Sequence, residues 1–142
     1  MYRAYAAVGD GAGVVFLVGI VWAIVRRYGP WSWRPYRIRI KSKPEHAVIL
    51  GVFLAIGVTG FGAEAFRIAH DGTPGFEKWS FIGYPLATLV DSGDNLFANN
   101  VAGWHQAWWI AHVVSFIAFL VILPTTMLRH MFTSPLNMYL RD

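Results

Sequence analysis

Three long apolar stretches, separated by polar segments, dominate the pattern of residues along the chain. They cover about residues 5–27, 46–69 and 104–128. Each is long enough to cross a bilayer as an α-helix, which takes about 20 apolar residues. Between the second and third, the apolar stretch from Trp79 to Val90 is too short to span and predicts a helix lying in the interface. The pattern predicts a single all-α membrane domain, residues 1–142, with three transmembrane helices and one short interfacial helix.

The charged residues predict how this domain is oriented. Basic residues crowd the end of the first stretch and the loop at residues 28–45: Arg26, Arg27, Arg34, Arg37, Arg39, Lys41 and Lys43. The positive-inside rule places this loop in the cytoplasm, whereas the mainly acidic segment 70–103 is expected outside. The N-terminus is then outside and the C-terminus cytoplasmic. The loop either anchors to anionic lipid or docks a cytoplasmic partner, and its Arg37–Lys41 part alternates like a strand or an interfacial segment.

Composition narrows the chemistry that the domain can carry. Of its residues, 56% are hydrophobic and 14% are charged, against about 25% charged in soluble domains. The net charge of +4 is concentrated beside an apolar stretch, so it indicates membrane topology and not nucleic-acid binding. The chain has no cysteine, which excludes iron–sulfur clusters, thiolate-bound metals and haem attached through a CxxCH motif. A redox centre here needs histidine, methionine or oxygen ligands.

Two histidines, His112 and His130, stand eighteen residues apart on the third stretch. On one continuous helix that spacing is five turns, so both rings share a face and lie about 27 Å apart. His46 begins the second stretch, at the same expected depth as His130. Two imidazoles at one depth on neighbouring antiparallel helices match the ligands of a bis-histidine haem. We therefore predict haem between the second and third helices, with His46 and His130 as the inner pair. The alternative is that each of these two histidines lies at the membrane–water interface and binds no haem.

More histidines and a charged pair lie at the other end of the same helices. His70 and His105 match in depth, while His112 lies deeper, level with Glu64. The simpler interpretations are an interfacial His105 and a structural His112 whose ring bonds a backbone carbonyl. Glu64 and Arg67 stand one turn apart, which is typical of an (i, i+3) ion pair. Beside a haem these two residues would instead orient a quinone.

The last stretch resembles the closing helix of the membrane cytochrome b (gamma) subunit of respiratory nitrate reductase. The residues that match are His112, Pro124, His130, Thr133-Ser134-Pro135, Tyr139 and Arg141. GVVFLVGIVWAIVRRYGPWSWRP and HAVILGVFLAIG are also similar to that family. The resemblance implies that His46 and His130 ligate an inner haem b. It departs at Ile56, which stands where the family has a ligand of its outer haem.

GFGAEAFRIA, KWSFIGYPLA and LRHMFTSPLNMYLRD resemble a different branch. That branch is the membrane module of heterodisulfide reductase-like iron–sulfur oxidoreductases, including electron-transfer-flavoprotein:menaquinone oxidoreductases. This resemblance implies a b-type cytochrome in a bacterial or archaeal cytoplasmic membrane, linking a cytoplasmic iron–sulfur or flavoprotein partner to menaquinone or ubiquinone. It implies one or two haems; in a second, His70 or its substitute His105 would join His112. The chain is then a split subunit or a piece of a longer protein, completed by further helices or a second copy.

Two other functions stay open at this point. The first is a haem-free membrane anchor of a redox complex, whose histidines are structural. The second is a proton-conducting subunit that uses Glu64, the histidines and Asp10, which otherwise has an interfacial or capping role. Histidines paired at both faces favour haem over either alternative, because ionisable residues inside a membrane are costly and are usually functional.

Overall fold

The structure, a computed structural model, describes residues 2–29, 43–92 and 96–141, and within these ranges all regular structure is helical. Its helices are α1 (Tyr2–Tyr28), α2 (Pro44–His70), α3 (Gly83–Asp91), α4 (Val101–Thr125) and α5 (His130–Tyr139). Short 3₁₀ turns lie between them at Gly75–Trp79, Ala98–Asn100 and Met127–Arg129. The all-helical fold predicted from the hydropathy pattern is confirmed over the described residues.

Within the described ranges, three helices are long and apolar enough to cross a membrane: Arg3–Tyr28, Pro44–His70 and Ala98–Thr125. Much of their apolar surface faces outward, as at Val15, Trp22, Ile117 and Val121. Exposed side chains of this kind are unfavourable in water, whereas lipid tails are as apolar as they are. The chain is thus a multi-pass membrane protein, as the pattern predicted.

α2 is the central helix, because α1, α3 and α4 all pack against it. Three of its glycines lie directly under a side chain of a neighbouring helix: Gly57 under Leu17, Gly60 under His112 and Gly62 under Trp108. Small residues in a membrane helix either let a neighbour approach closely or leave room for a flat macrocycle. At these three positions a side chain takes the space. Gly51 differs, since nothing lies within 4 Å of where its Cβ would stand.

A sharp reversal follows α2 and brings α3 back onto it. The reversal contains Gly72 at a φ of 75°, a conformation that glycine adopts freely. Ile68 of α2 and Ala87 of α3 are fully buried where the two helices touch. A short helix is present in the stretch predicted at Trp79–Val90, but it spans Gly83–Asp91 and a 3₁₀ helix and a turn precede it. Its position in the outer interface stays a prediction. We call the end of the bundle where α2 ends and α3 begins the α3 end. The opposite end, where α2 begins, is the His46 end.

The third apolar stretch is not one continuous helix. α4 ends at Thr125, before the predicted end at about residue 128, and α5 begins at His130. Pro124 has no N–H to donate and its ring crowds the preceding turn. Thr126 then adopts an extended conformation with φ −115° and ψ −172°. The prediction that His112 and His130 share one face of a single helix is therefore wrong.

Most of the predicted basic loop, including its strand-like Arg37–Lys41 part, lies outside the described residues. Arg26 and Arg27 stand in the last turn of α1, next to that loop. The cytoplasmic position of the loop and the orientation of the termini stay predictions.

Candidate functional site

Asp10 of α1 holds the N-terminus of α3. Its side chain is 2% exposed, and Oδ2 accepts hydrogen bonds from the backbone N–H groups of Ile82 at 2.7 Å and Gly83 at 3.3 Å. These donors need a partner from elsewhere, because the first turn of a helix cannot satisfy its own N–H groups. The capping role expected for Asp10 is confirmed, but Asp10 caps α3 across the bundle and not its own helix. Its other oxygen, Oδ1, is buried and has no hydrogen-bond partner.

Glu64 of α2 lies beside Asp10 at the same point. Ser80, in the turn before α3, donates its hydroxyl to Oε1 of Glu64 at 2.8 Å. The Glu64 carboxyl also packs on the backbone of Gly83, where an added Cβ would lie 2.8 Å from Cδ. Two carboxyl groups from two membrane helices thus meet at the start of α3, and we call Asp10 and Glu64 the acid pair.

Arg67 is bound by acids that follow it in the chain. Its Nη1 donates to Oε1 of Glu77 at 2.8 Å and lies 3.6 Å from Oδ2 of Asp71. Glu77 is 1% exposed, and a carboxylate buried so deeply needs a cation because an unpaired buried charge is costly. Instead of the expected (i, i+3) pair, the structure joins Arg67 to Glu77 and Glu64 to Ser80.

Two apolar cavities lie at the α3 end. The first, of about 370 Å³, lies between α1 and α2, has Glu64 in its wall and is called here the Glu64 cavity. Its other lining residues are Gly9, Ala12, Gly13, Phe16, Ile56, Gly57, Gly60 and Phe61. The second, of about 530 Å³, lies among α1, α2, α3 and α4 and shares Phe61 with the first. Apolar walls with few polar groups are typical of ligand sites, so the Glu64 cavity can take a flat apolar molecule with a polar atom near the carboxyl.

Aromatic rings fill the interface between α2 and α4 at the α3 end. Phe66 stacks on Trp104 and Trp108, with ring centroids 6.2 Å and 6.1 Å apart. Phe97 meets Phe66 edge-on at 5.6 Å. Aromatic pairs at these distances add stability beyond the area that they bury, so stacking on Phe66 holds Trp108 in position over α2.

His112 lies between α4 and α2 and bonds Thr59. Its Nδ1 is 3.0 Å from Thr59 Oγ1, and that hydroxyl donates to the carbonyl of Ala55 at 2.6 Å. A hydroxyl that directs its one proton at Ala55 accepts from Nδ1, and the neutral ring then carries its proton there. In that tautomer Nε2 is unprotonated, which is the form that a metal ligand requires.

His70 lies beside His105 at the α3 end. Their ring centroids are 5.9 Å apart, and His70 Nδ1 is 3.4 Å from Oδ1 of Asp71. The structure therefore brings together the two histidines that match in depth, while His112 is placed against Thr59. The haem-ligand role of all three stays a prediction.

His46 and His130 line one cavity of about 270 Å³ at the His46 end, together with Arg27. The two residues predicted to ligate the inner haem therefore lie at one cavity, and their role as ligands stays a prediction. The hydrogen bonding of His46 fits that role less well, because its Nδ1 accepts from the backbone N–H of Lys43 at 3.0 Å. A neutral ring that accepts at Nδ1 carries its proton on Nε2, so ligation through Nε2 requires that this bond be given up. Among the described residues, no group of three or more His, Asp or Glu side chains can hold a metal ion.

The residues of this site that sequence reasoning missed are Ser80 and Glu77. Both lie in the segment between α2 and α3, where a serine or a glutamate gives no periodic signal. The single hint is that Arg67 stands near the end of a membrane helix with acids following it in the chain. An arginine in a membrane helix is expected to pair with a carboxylate, but the sequence does not say which one.

No family model matches the chain, and no solved structure matches it. Among curated proteins it is similar to the EtfAB:quinone oxidoreductase of Syntrophomonas wolfei subsp. wolfei, with 26% identity over 154 aligned positions. The alignment covers 99% of this chain and 20% of the relative, so the chain spans about one fifth of that protein's length. The chain is therefore similar, over nearly its whole length, to one part of a quinone oxidoreductase.

Proposed function

We propose that the chain is the membrane module of a quinone-linked electron-transfer complex. The observation that carries the proposal is the Glu64 cavity, an apolar space at the α3 end with a carboxyl group in its wall. A quinone is a flat apolar ring with an apolar tail and two oxygen atoms that take up protons on reduction, which suits such a cavity. The similarity to the EtfAB:quinone oxidoreductase supports the same function.

Glu64 binds the quinone in this proposal, and Arg67 sets the charge around it. The Glu64 carboxyl provides the polar contact for a quinone oxygen. Arg67 is held by Glu77 at 2.8 Å and interacts electrostatically with Glu64, so it keeps a positive charge close to the site. Menaquinone and ubiquinone share the ring and tail chemistry that the cavity recognises, and either is a suitable substrate.

We propose that His46 and His130 would hold haem b at the His46 end. Their shared cavity supports this pairing. A haem bound by two histidines would supply one-electron transfer. His46 would have to release the backbone N–H of Lys43, so that its proton moves to Nδ1 and Nε2 becomes available as a ligand.

His112 is the candidate ligand of a second haem at the α3 end. Thr59 holds the ring in the tautomer that leaves Nε2 unprotonated. Its partner in this proposal is His70 or His105, whose rings are adjacent. Trp108 occupies part of the interface between α2 and α4, and the number of haems per chain decides whether this second site exists.

The module works with partners in this proposal. Electrons are exchanged with an electron-transfer flavoprotein, as the name of the relative suggests, or with a cytoplasmic iron–sulfur protein at the His46 end. Three membrane helices offer few faces to enclose haem, so we expect further helices from a partner or a second copy. The setting is a bacterial or archaeal cytoplasmic membrane, with the N-terminus outside and the C-terminus cytoplasmic.

A second candidate function is a haem-free membrane anchor of the same kind of complex. One observation favours it: His46 lies in the first turn of α2 and accepts the backbone N–H of Lys43, as a capping residue does. In that role the ring needs no metal to explain its position. The anchor holds a redox partner at the membrane and carries no electrons itself.

The test is a reduced-minus-oxidised spectrum with a pyridine haemochrome assay on the purified protein and its co-purifying subunits. We expect haem b, and we expect His46→Ala and His130→Ala each to remove one haem per chain. Glu45→Ala serves as the comparison, because Glu45 is exposed beside His46 in the first turn of α2 and is not a candidate ligand. Circular dichroism checks that the variants are folded, since His46 also caps α2. A folded complex without haem overturns the proposal in favour of the anchor. Haem retained in both variants rejects these two ligands.

A further inference from the structure

We infer that Asp10 and Glu64 hold a single proton between them and exchange it with the molecule that occupies the Glu64 cavity. The proton-sharing itself rests on the contacts of the acid pair at the start of α3. Its use by a quinone rests on the proposed function, so the two parts need separate tests.

Asp10 is the member of the pair that accepts backbone hydrogen bonds. Its Oδ2 accepts two backbone N–H groups from the first residues of α3, at 2.7 Å and 3.3 Å. Hydrogen bonds to a carboxylate favour its charged form, and the positive end of a helix dipole acts in the same direction. α3 has nine residues, which is more than two helical turns, so its N-terminus carries the positive end of a helix dipole.

Glu64 has less support for a negative charge. Ser80 donates one hydrogen bond to Oε1, against the two backbone donors that Asp10 has. Arg67 is the cation on the same helix, and it is already bound to Glu77 at 2.8 Å and lies 3.6 Å from Asp71. Asp10 is buried and Glu64 is partly buried beside it. Two carboxylates so close repel each other, so one of them holds a proton.

The unpartnered oxygen of Asp10 points to where that proton lies. Oδ1 is buried and has no hydrogen-bond partner, although buried polar atoms are nearly always bonded. Glu64 lies beside Asp10, and its protonated carboxyl is a donor, whereas its ionised form is not. A proton on Glu64 that is directed at Asp10 therefore gives Oδ1 the partner that it lacks.

Glu64 is also the member that reaches the ligand. It stands in the wall of the Glu64 cavity, whereas Asp10 does not. Reduction of a quinone to its quinol takes two electrons, which the reduced flavoprotein partner supplies, and two protons. In our inference Glu64 gives one proton to a quinone oxygen and water provides the other. The acid pair is then doubly negative, and its repulsion draws a new proton onto Glu64 before the next turnover.

The proton is observable in the infrared spectrum of the purified protein with its co-purifying subunits, recorded without added quinone in light and heavy water. We expect the carbonyl stretch of a protonated carboxylic acid, shifted in heavy water. Glu64→Gln is expected to remove the band. Asp10→Asn is expected to remove it too, because Glu64 can ionise once its neighbour is neutral. The control is Glu45→Gln, at the exposed start of α2, which should keep the band. A missing band, or a band that survives Asp10→Asn, overturns the inference.

Quinone reduction is measured separately, with a short-chain quinone and the reduced flavoprotein. Glu64→Gln is expected to lower kcat at least tenfold and to abolish its dependence on heavy water, while Glu45→Gln leaves both unchanged. If the infrared band behaves as expected and the wild-type protein reduces no quinone, the shared proton is supported and the proposed function is rejected. If quinone is reduced and the band is missing, the proposed function stands and the shared proton is rejected.

Discussion

Replacing Glu77 with alanine is expected to lower the free energy of unfolding by about 2–3 kcal/mol, because Arg67 loses the carboxylate that it binds. The two side chains meet at 2.8 Å, and Glu77 is 1% exposed. The Arg67 side chain is 37% exposed, so its charge regains some water in the variant. The expected loss therefore lies below the roughly 3–5 kcal/mol that removing one partner of a fully buried pair costs.

Unfolding of the solubilised protein in mixed detergent micelles, followed by tryptophan fluorescence, measures this energy. Glu45→Ala is the matched control, because Glu45 is an exposed acid in the first turn of α2, and its effect should stay within about 0.5 kcal/mol. Arg67→Ala and the double variant complete a cycle, in which we expect a coupling of at least about 1 kcal/mol. Equal unfolding energies for Glu77→Ala and Glu45→Ala would contradict the importance of this ion pair.

Gly62→Ala is the second change for which a large effect is expected, a loss of about 1–3 kcal/mol. The added Cβ would lie 2.6 Å from Cδ2 and Cζ3 of Trp108, far inside van der Waals contact. The indole is not free to move away, because it stacks on Phe66 with a distance of 6.1 Å between the ring centroids. Alanine also favours the helix over glycine by up to about 1 kcal/mol. The measured loss of stability is therefore the energetic cost of the clash less this gain in helix propensity.

Gly51→Ala isolates the helix-propensity gain. Gly51 belongs to the same helix, and nothing lies within 4 Å of its missing Cβ. We expect this variant to be unchanged or more stable by about 0.5–1 kcal/mol in the same micelle assay. Adding Trp108→Leu to Gly62→Ala should restore part of the loss, because the smaller side chain makes room. Gly51→Ala and Gly62→Ala having the same effect would show that the glycine at position 62 is not needed for close packing.

The membrane spans were predictable because hydrocarbon thickness fixes the length of an apolar helix. The stretch predicted at 46–69 is α2, Pro44–His70. The end of the third span was less predictable, although Pro124 is plain in the sequence. A proline inside a membrane helix either kinks it or ends it, depending on which groups satisfy the freed carbonyls. Here the Thr125 and Thr126 hydroxyls donate to the carbonyls of Val121 and Ile122, at the point where the helix ends.

Within the candidate site, only the relative depths of residues along the helices could be predicted from the sequence, because helix geometry alone fixes them. The equal depth of His70 and His105 follows from the rise per residue of a helix, and their rings are indeed adjacent, at 5.9 Å. The contact of Asp10 with α3 joins residues 72 positions apart. Neither periodicity nor local spacing carries information about such a contact. It depends on how α1, α2 and α3 pack, which the sequence pattern does not state.

The same contact has a consequence for how the protein is made. Asp10 lies within a membrane helix, where an aspartate costs about 2.5–3.5 kcal/mol at the helix centre during insertion. Its two donors belong to α3, which the ribosome makes only after α2. Until then, α1 enters the bilayer with this cost uncompensated. A nascent chain that stops before α3, or one in which α3 fails to dock, leaves Asp10 without these two donors, and its first helix is therefore held less firmly in the membrane.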